Sequence, residues 1–183
     1  MEVQSTPIDG LVLVRPRSFE DDRGSFCETW NQKAFDDVVG GHVQFVQANE
    51  SRSMAGTLRG LHFQAPPHAQ GKLVRVSRGS VLDVAVDVRK GSPTYGQHHA
   101  ALLTEHNRWQ FYVPPGFAHG FLALEDDTVF QYLCTALYNE ESEGGLLWND
   151  PDLGIDWGMD QPLVSPKDQE AGRFAAFDSP FMV

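Results

Sequence analysis

Two neighbouring segments decide how this chain folds, and they read Arg59-Gly60-Leu61-His62-Phe63-Gln64 and Gln70-Gly71-Lys72-Leu73-Val74-Arg75. Both are strand-like, and the loop between them, Ala65-Pro66-Pro67-His68-Ala69, is short enough for a hairpin. Because strand backbone is rigid, it would hold a base such as His62 and a cation such as Lys72 accurately. That arrangement suits an anionic substrate that loses a proton. The plainer interpretation is two core strands with solvated charges and one hydrogen-bonded histidine.

Short strand-like segments continue through the middle of the chain. Turn sequences such as Arg78-Gly79-Ser80 and Pro114-Pro115-Gly116 separate them. The predicted strands cover residues 11–15, 26–30, 43–49, 57–63, 72–77, 81–88, 97–103, 109–113, 117–124 and 128–138. Many short strands with few helical patterns predict an all-β fold, either a sandwich, a jelly roll or a barrel.

A few short helices accompany these strands. Asn31 can cap a helix whose apolar residues Phe35, Val38 and Val39 follow a helical spacing. A second short helix is predicted near Pro166-Lys167-Asp168. We expect the acidic, loop-rich segment after Asn139, which carries several Trp, Pro and Gly residues, to pack over the β core.

Composition limits the classes of function. At 183 residues we expect a single domain, residues 1–183. The net charge of −11 and the lack of a basic face indicate no nucleic-acid partner. No apolar run is long enough for a membrane span, and the N-terminus does not resemble a signal peptide. Cys27 and Cys134 lack a paired or zinc-like spacing, so reduced thiols and a cytoplasmic location are expected.

Histidines are the first candidates for catalysis, because their pKa lies near neutrality. The chain has seven: His42, His62, His68, His98, His99, His106 and His119. A metal site needs three or four converging ligands, but neither His62 nor His119 has a histidine two residues away. His98 and His99 are adjacent, so on a strand they point to opposite faces. We therefore predict no metal site.

Strand alternation places further candidates. Tyr132 shares a face with apolar residues of its strand, as a core or pocket-wall tyrosine would, and His119 shares a face with Phe117 and Phe121. Either side chain is functional only if its face lines a cavity. Arg59 and His62 are three residues apart, so both reach one pocket only if the strand is irregular, for example through a bulge at Gly60.

These residues, in this order, resemble the dTDP-4-dehydrorhamnose 3,5-epimerase family of dimeric, cupin-type jelly-roll enzymes. The resemblance runs from about Gly10 to Asp168. Besides the two opening segments it includes Phe19-Glu20-Asp21-Asp22-Arg23-Gly24, Phe45-Val46-Gln47-Ala48-Asn49, Asp83-Val84-Ala85-Val86-Asp87, Gly91-Ser92-Pro93-Thr94-Tyr95-Gly96, Pro115-Gly116-Phe117-Ala118-His119-Gly120-Phe121, Trp148-Asn149-Asp150 and Ser165-Pro166-Lys167-Asp168. It implies a double-stranded β-helix (cupin or jelly-roll) fold.

The resemblance also implies a chemistry. The substrate would be a dTDP-4-keto-6-deoxy sugar, whose carbons 3 and 5 flank a ketone. His62 would be the base, Asp168 would orient and stabilise its imidazole, and Tyr132 would be the facing acid. Lys72 would stabilise negative charge on the C4 oxygen. No metal or organic cofactor is implied.

Further positions of this sequence match the family's substrate-binding residues. They are Phe19, Arg23, Glu28, Gln47, Asn49, Arg59, Lys72, His119, Tyr138, Glu143 and Lys167. The family also implies a homodimer that exchanges an N-terminal strand. Leu11-Val12-Leu13-Val14 is apolar enough to be a hazard if it formed an exposed edge, so we expect it at the pairing edge.

Two alternatives to a double epimerase remain. One is a relative that epimerises only carbon 3 or only carbon 5 of a dTDP-4-keto-6-deoxy sugar. The other is a non-catalytic or metal-dependent cupin that binds a sugar. The joint presence of His62, Lys72, Tyr132 and Asp168 favours an enzyme over a binding module, because a module needs no acid and base.

Overall fold

The computed structural model describes all residues from 1 to 183. The strands are β1 Glu2–Ser5, β2 Val12–Arg15, β3 Ser18–Asp21, β4 Gly24–Cys27, β5 Gln47–Ser53, β6 Thr57–Gln64, β7 Lys72–Arg78, β8 Ser80–Asp87, β9 Arg89–Lys90, β10 His98–Thr104, β11 Gln110–Val113, β12 Phe117–Ala123, β13 Thr128–Cys134, β14 Glu143–Gly145, β15 Leu163–Val164 and β16 Phe181–Met182. The helices are α1 Gln32–Val39 and α2 Pro166–Gln169, with single 3-10 turns at Glu140–Ser142 and Phe174–Ala176.

Two large sheets form the body of the molecule. Sheet A has the strand order β1-β2-β11-β7-β13-β5, and sheet B has the order β10-β8-β12-β6-β14, with β15 parallel beside β6. The inner core draws side chains from both sheets, for example Val74 and Phe111 from sheet A and Ala85 and Phe121 from sheet B. Two facing sheets of this connectivity form the predicted jelly roll, so the predicted all-β cupin fold is confirmed.

The C-terminal part of the chain covers the outer face of sheet B. Leu153, Trp157 and Phe181 are buried there in one cluster with Leu58 and Leu61 of β6. The indole nitrogen of Trp157 donates to the carbonyl of Trp148 at 2.8 Å. The expectation that this tail packs over the β core is confirmed, and the packing brings α2 close to β6.

Helix α1 lies against the outer face of sheet A. The Asn31 side chain accepts from the backbone nitrogen of Ala34 at 3.0 Å, as an N-cap does, and Gly40 ends the helix with a φ of 72°. Phe35 is fully buried against Tyr112 of β11, with ring centroids 5.1 Å apart. The predicted helix is therefore confirmed.

Some predicted elements are displaced. The predicted strand 26–30 is β4, which ends at Cys27, and the predicted strand 43–49 starts only at Gln47. Strand 128–138 stops at Cys134, and just beyond it the Thr135 hydroxyl accepts from the Gly71 backbone nitrogen at 2.7 Å.

The apolar segment 11–14 is not an edge, and that prediction is wrong. Strand β2 lies between β1 and β11, so its backbone is paired on both sides and Leu13 and Val14 are buried. The edge is β1, whose residues are all exposed and have no apolar alternation, so the sequence pattern does not reveal a strand. No helix of the chain combines the length and apolar character that crossing a bilayer requires.

Candidate active site

A cavity of about 610 Å³ opens between the two sheets. Sheet A contributes Ser51, Lys72, Phe130 and Tyr132 to its wall, while sheet B contributes Thr57, Leu58, Arg59, His62, His119, Phe121, Glu143, Leu163 and Val164. The segment Ser165-Pro166-Lys167-Asp168 closes one side. The structure thus brings His62, Lys72, Tyr132 and Asp168 into one site.

His62 is paired with a buried carboxylate. Its Nε2 lies 2.6 Å from Oδ1 of Asp168, and the backbone nitrogen of Gly60 donates to the other carboxylate oxygen at 3.2 Å. Asp168 is held in helix α2, because the backbone nitrogen of Asp168 donates to the hydroxyl of the N-cap residue Ser165 at 3.2 Å. Burial opposes ionisation of Asp168, but the hydrogen bonds from His62 and Gly60 keep its pKa below the usual range. The pair is a carboxylate that orients an imidazole.

Strand β6 is irregular at Gly60, and the predicted bulge is confirmed. Gly60 has a φ of +120°, and the register with β12 shifts between the pairs His119–His62 and Phe121–Arg59. The two strands approach so closely that a Cβ on Gly60 would lie 2.6 Å from the Cα of Gly120. This irregularity lets Arg59 and His62 line the same cavity although they are three residues apart.

Tyr132 and Lys72 occupy the opposite wall, on β13 and β7 of sheet A. The Lys72 ammonium lies 6.0 Å from the centroid of the Tyr132 ring. Burial raises the pKa of the Tyr132 phenol, so it remains protonated at neutral pH. Burial also lowers the pKa of Lys72, while the nearby Cys134, Asp83 and Glu143 act in the opposite direction and raise it. A protonated phenol therefore faces the imidazole across the cavity.

His119 has a carboxylate of its own. Its Nε2 lies 2.9 and 3.0 Å from the two oxygens of Asp83, which is fully buried on β8. The His119 ring stacks on Phe130 at 6.3 Å between centroids. Asp83 was not among the predicted site residues. The sequence feature that could have pointed to Asp83 is that it is a single acidic residue inside an apolar strand. An acidic residue is buried in such a strand only when it has a partner.

The mouth of the cavity carries a second polar cluster. One carboxylate oxygen of Glu143 accepts from Lys167 Nζ at 2.6 Å and from the Tyr138 hydroxyl at 2.9 Å. Burial opposes ionisation of Glu143, but these two donors keep its pKa below the usual range. Glu143 and Lys167 line the cavity, whereas the half-exposed Tyr138 lies just outside it.

Gln47 and Asn49 extend this cluster along β5. The Gln47 side chain accepts from the Tyr138 backbone nitrogen at 2.9 Å and donates to Asn49 Oδ1 at 3.0 Å. Asn49 in turn donates to the Cys134 sulfur at 3.6 Å. Both predicted ligand residues therefore adjoin the cavity without lining it.

Three predicted ligand residues lie away from the cavity. Phe19 and Arg23 belong to the β3–β4 hairpin and Glu28 follows it, and all three are exposed. Arg23 pairs with Asp21 of its own hairpin, at 2.6 Å. None of the three lines the cavity, so the fold of the single chain does not bring them to the predicted site.

Small polar residues of β5 are the other site residues that were not predicted. Ser51 lines the cavity, and the Ser53 hydroxyl accepts from Arg59 Nε at 3.3 Å. The predicted strand ended at residue 49, so their alternation with Asn49 was not visible. The chain contains no group of three or more His, Cys, Asp or Glu residues placed to hold a metal ion.

Comparison with known proteins identifies a family with this architecture. Residues 5–176 match the family described as dTDP-4-dehydrorhamnose 3,5-epimerase. The chain is 48% identical over 179 residues to the dTDP-4-dehydrorhamnose 3,5-epimerase of Pseudomonas aeruginosa, covering 97% of this chain and 98% of that protein.

Solved structures agree with this match. The dTDP-6-deoxy-D-glucose-3,5-epimerase RmlC of Legionella pneumophila, in complex with dTDP-4-keto-L-rhamnose, superposes with a TM-score of 0.93 at 44% identity, covering 97% of this chain and 94% of that one. The 3'-monoepimerase ChmJ of Streptomyces bikiniensis, in complex with dTDP-quinovose, superposes with a TM-score of 0.88 at 35% identity, covering 93% and 86% of the two chains.

Proposed function

Because this chain belongs to the dTDP-4-dehydrorhamnose 3,5-epimerase family, we propose that it inverts carbons 3 and 5 of dTDP-4-keto-6-deoxyglucose, the epimerisation that leads toward dTDP-L-rhamnose. One observation carries this proposal. The His62–Asp168 pair on one wall of the cavity faces the protonated Tyr132 on the other. A base and an acid on opposite walls are what inversion at carbon requires, since the proton leaves one face and returns to the other.

His62 removes the proton. Carbons 3 and 5 are acidified by the ketone at carbon 4, and an imidazole base is suited to abstract such protons at neutral pH. The imidazolium that forms is stabilised by Asp168, which also fixes the orientation of the ring. The electron pair of the broken C–H bond moves into an enolate, whose oxygen lies against the Lys72 ammonium. The reaction is redox-neutral and uses no cofactor.

Tyr132 returns a proton from the opposite face. Its phenol gives its proton to the enolate carbon, which completes inversion. The His62 imidazolium then releases a proton to solvent and the Tyr132 phenolate takes one up, so both groups return to their starting state. The lowered pKa of Lys72 makes its ammonium a stronger hydrogen-bond donor to the enolate oxygen than an exposed lysine would be. The same set of groups serves carbon 3 and carbon 5 in turn.

The diphosphate is held by cations at the edge of the cavity. Arg59 lines it beside Ser53, and Lys167 lies at its mouth. An arginine fork matches phosphate geometry, and these local cations must hold an anion in a protein of net charge −11. Gln47, Asn49 and Tyr138, joined by hydrogen bonds, form the adjoining surface for the nucleoside.

The active unit is a homodimer in which the β3–β4 hairpin of one protomer reaches the site of its partner. The support is that Phe19, Arg23 and Glu28 are ligand positions of the family yet are exposed and away from the protomer's own cavity. The exposed edge strand β1 adds a second pairing surface.

The whole chain, residues 1–183, works as one cytoplasmic domain. The support for one domain is that Asp168 completes a site on β6, more than a hundred residues earlier. The support for the location is that Cys27 and Cys134 are both unpaired.

Proton NMR in heavy water tests the function. The purified protein is incubated with dTDP-4-keto-6-deoxyglucose, and deuterium incorporation and product stereochemistry are followed. We expect deuterium at both carbon 3 and carbon 5. Exchange at one carbon only would indicate a single-site epimerase, as the ChmJ 3'-monoepimerase is named. Exchange at neither carbon would contradict an epimerase.

A further inference from the structure

Ser51 is partly exposed, but its hydroxyl oxygen is buried, and it is the one buried side-chain polar atom of the protein without a hydrogen-bond partner. Its hydroxyl is shielded from bulk solvent, and the residue lines the cavity together with His62, Lys72 and Tyr132. A buried hydroxyl without a partner destabilises the folded protein, and an alanine would avoid that cost. The hydroxyl therefore points to a partner that arrives from outside the protein.

The neighbours of Ser51 on the same face of β5 are already engaged. Asn49 accepts from Gln47 and donates to Cys134, while Ser53 accepts from Arg59. Strand alternation directs all three β5 side chains to the same face. Only Ser51, in the middle of this row, is left free.

The position of Ser51 along the strand indicates which ligand atom it meets. Asn49 is the cross-strand partner of Tyr132, Ser51 pairs with Phe130, and Ser53 contacts the diphosphate-binding Arg59. Along strand β5, Ser51 thus lies between the position of Tyr132, the proposed acid, and the position of Arg59. In a nucleotide sugar the atoms between the reacting carbon 3 and the phosphate-bearing carbon 1 are carbon 2 and its hydroxyl.

We propose that Ser51 is a specificity-determining residue that hydrogen-bonds the C2 hydroxyl of the nucleotide sugar and so favours substrates that carry one over 2-deoxy sugars. The proposal rests on the proposed function, because it requires the sugar to lie between Tyr132 and Arg59. Because the Ser51 hydroxyl has no partner within the protein, it can turn into the cavity toward a ligand hydroxyl without breaking an existing hydrogen bond.

Calorimetric titration tests the proposal without turnover. The ligands are dTDP-glucose and dTDP-2-deoxyglucose, which lack the ketone and do not react, and the proteins are the wild type and Ser51→Ala. We expect the wild type to bind dTDP-glucose about five- to tenfold more tightly than the 2-deoxy ligand. Ser51→Ala should bind both ligands with the same affinity, because the pair needs both hydroxyls. Its thermal midpoint should be equal to or above that of the wild type.

Ser53→Ala is the matched control on the same strand. It should weaken both ligands by the same factor, because Ser53 acts on the arginine and not on carbon 2. The role of Ser51 would be overturned, with the proposed function left standing, if Ser51→Ala kept the preference for dTDP-glucose or if the wild type showed no preference. A wild type that binds neither ligand would overturn the proposed function with it.

Discussion

His62 depends on the carboxylate beside it. Replacing Asp168 by asparagine keeps the size of the side chain but removes the charge that stabilises the imidazolium. We expect Asp168→Asn to lower kcat by about 10²–10⁴-fold with a smaller change in KM. A coupled assay of epimerised product measures this. Asp178→Asn, an exposed carboxylate that pairs with Lys90, is the control and should leave kcat unchanged. Equal rates in Asp168→Asn and wild type would contradict a role for the pair.

Single residues were predicted from sequence only where a local pattern marks them. Alternation put Tyr132 on a face with Phe130, and the structure places both on the cavity wall. Asp168 was found through a family motif, since its contact with His62 spans the whole fold. Asp83 stands out in the sequence only as a single acidic residue in an apolar strand, and Ser51 carries no local sign, because what distinguishes them is burial and the presence or absence of a partner.

Among the elements, strand β6 depends on its glycine. Gly60→Ala would put a Cβ 2.6 Å from the Cα of Gly120 and 2.7 Å from the carbonyl oxygen of His119, at a φ of +120°. We expect the strands to separate, a stability loss of about 1–3 kcal/mol from backbone strain, and a large loss of kcat as His62 moves. Thermal denaturation and the product assay measure both effects.

Gly41→Ala is the control for this substitution, since nothing lies within 4 Å of its added Cβ. It should change neither the thermal midpoint nor the rate of product formation. If Gly60→Ala kept the wild-type midpoint and rate, the irregularity of β6 would not be what positions Arg59 and His62.

The loop after β8 should make stability depend on pH. Burial alone would raise the pKa of Asp87, but hydrogen bonds from Arg89, Ser92 and Thr94 lower it to about 2. An unfolded aspartate titrates near 3.9, so the stabilisation is full above about pH 4 and is lost as pH falls toward 2. We expect Asp87→Asn to cost about 1–3 kcal/mol at pH 7 and progressively less below pH 4.

Urea unfolding at pH 7, 4 and 3 measures that difference. The control is Asp37→Asn, an exposed helical pair with Lys33, whose effect should stay within about 0.5 kcal/mol at each pH. A penalty for Asp87→Asn that grew on acidification would contradict the sign of the pKa shift.

Elements with a clear local signal were predicted well, and the others were not. Helix α1 carries both an N-cap and a helical apolar spacing, and it was found. Strands β1 and β3 are short and mostly exposed, so they show no apolar alternation, and only pairing with β2 and β4 makes them strands. The error over the edge of sheet A follows from missing β1.

For the whole molecule, the exchange of the β3–β4 hairpin can be tested by mixing variants. Arg23→Ala and His62→Ala should each be inactive or weak alone, because one lacks a phosphate ligand and the other the base. If Arg23 serves the partner's site, a mixed dimer contains one intact site and one doubly defective site. After refolding together in equal amounts, we expect activity to return to about a quarter of the wild type, since about half the dimers are mixed.

A mixture of His62→Ala with Asp168→Asn is the control. Both residues belong to the same protomer's site, so no intact site forms and no activity should return. Absence of recovery in the Arg23 mixture, together with a monomeric mass in sedimentation, would contradict hairpin exchange.

Deuterium exchange in heavy water with Tyr132→Phe and His62→Ala tests the division of labour between the two walls most directly. Wash-in at carbons 3 and 5 and the appearance of epimerised product are followed by NMR for both variants and the wild type. We predict that Tyr132→Phe still exchanges its substrate protons while epimerised product falls by about 10²-fold or more, because abstraction remains and only the returning proton is missing. His62→Ala should lose exchange and product together. Loss of both signals to the same extent in the two variants, or exchange that survives in His62→Ala, would contradict the assignment of His62 as base and Tyr132 as acid.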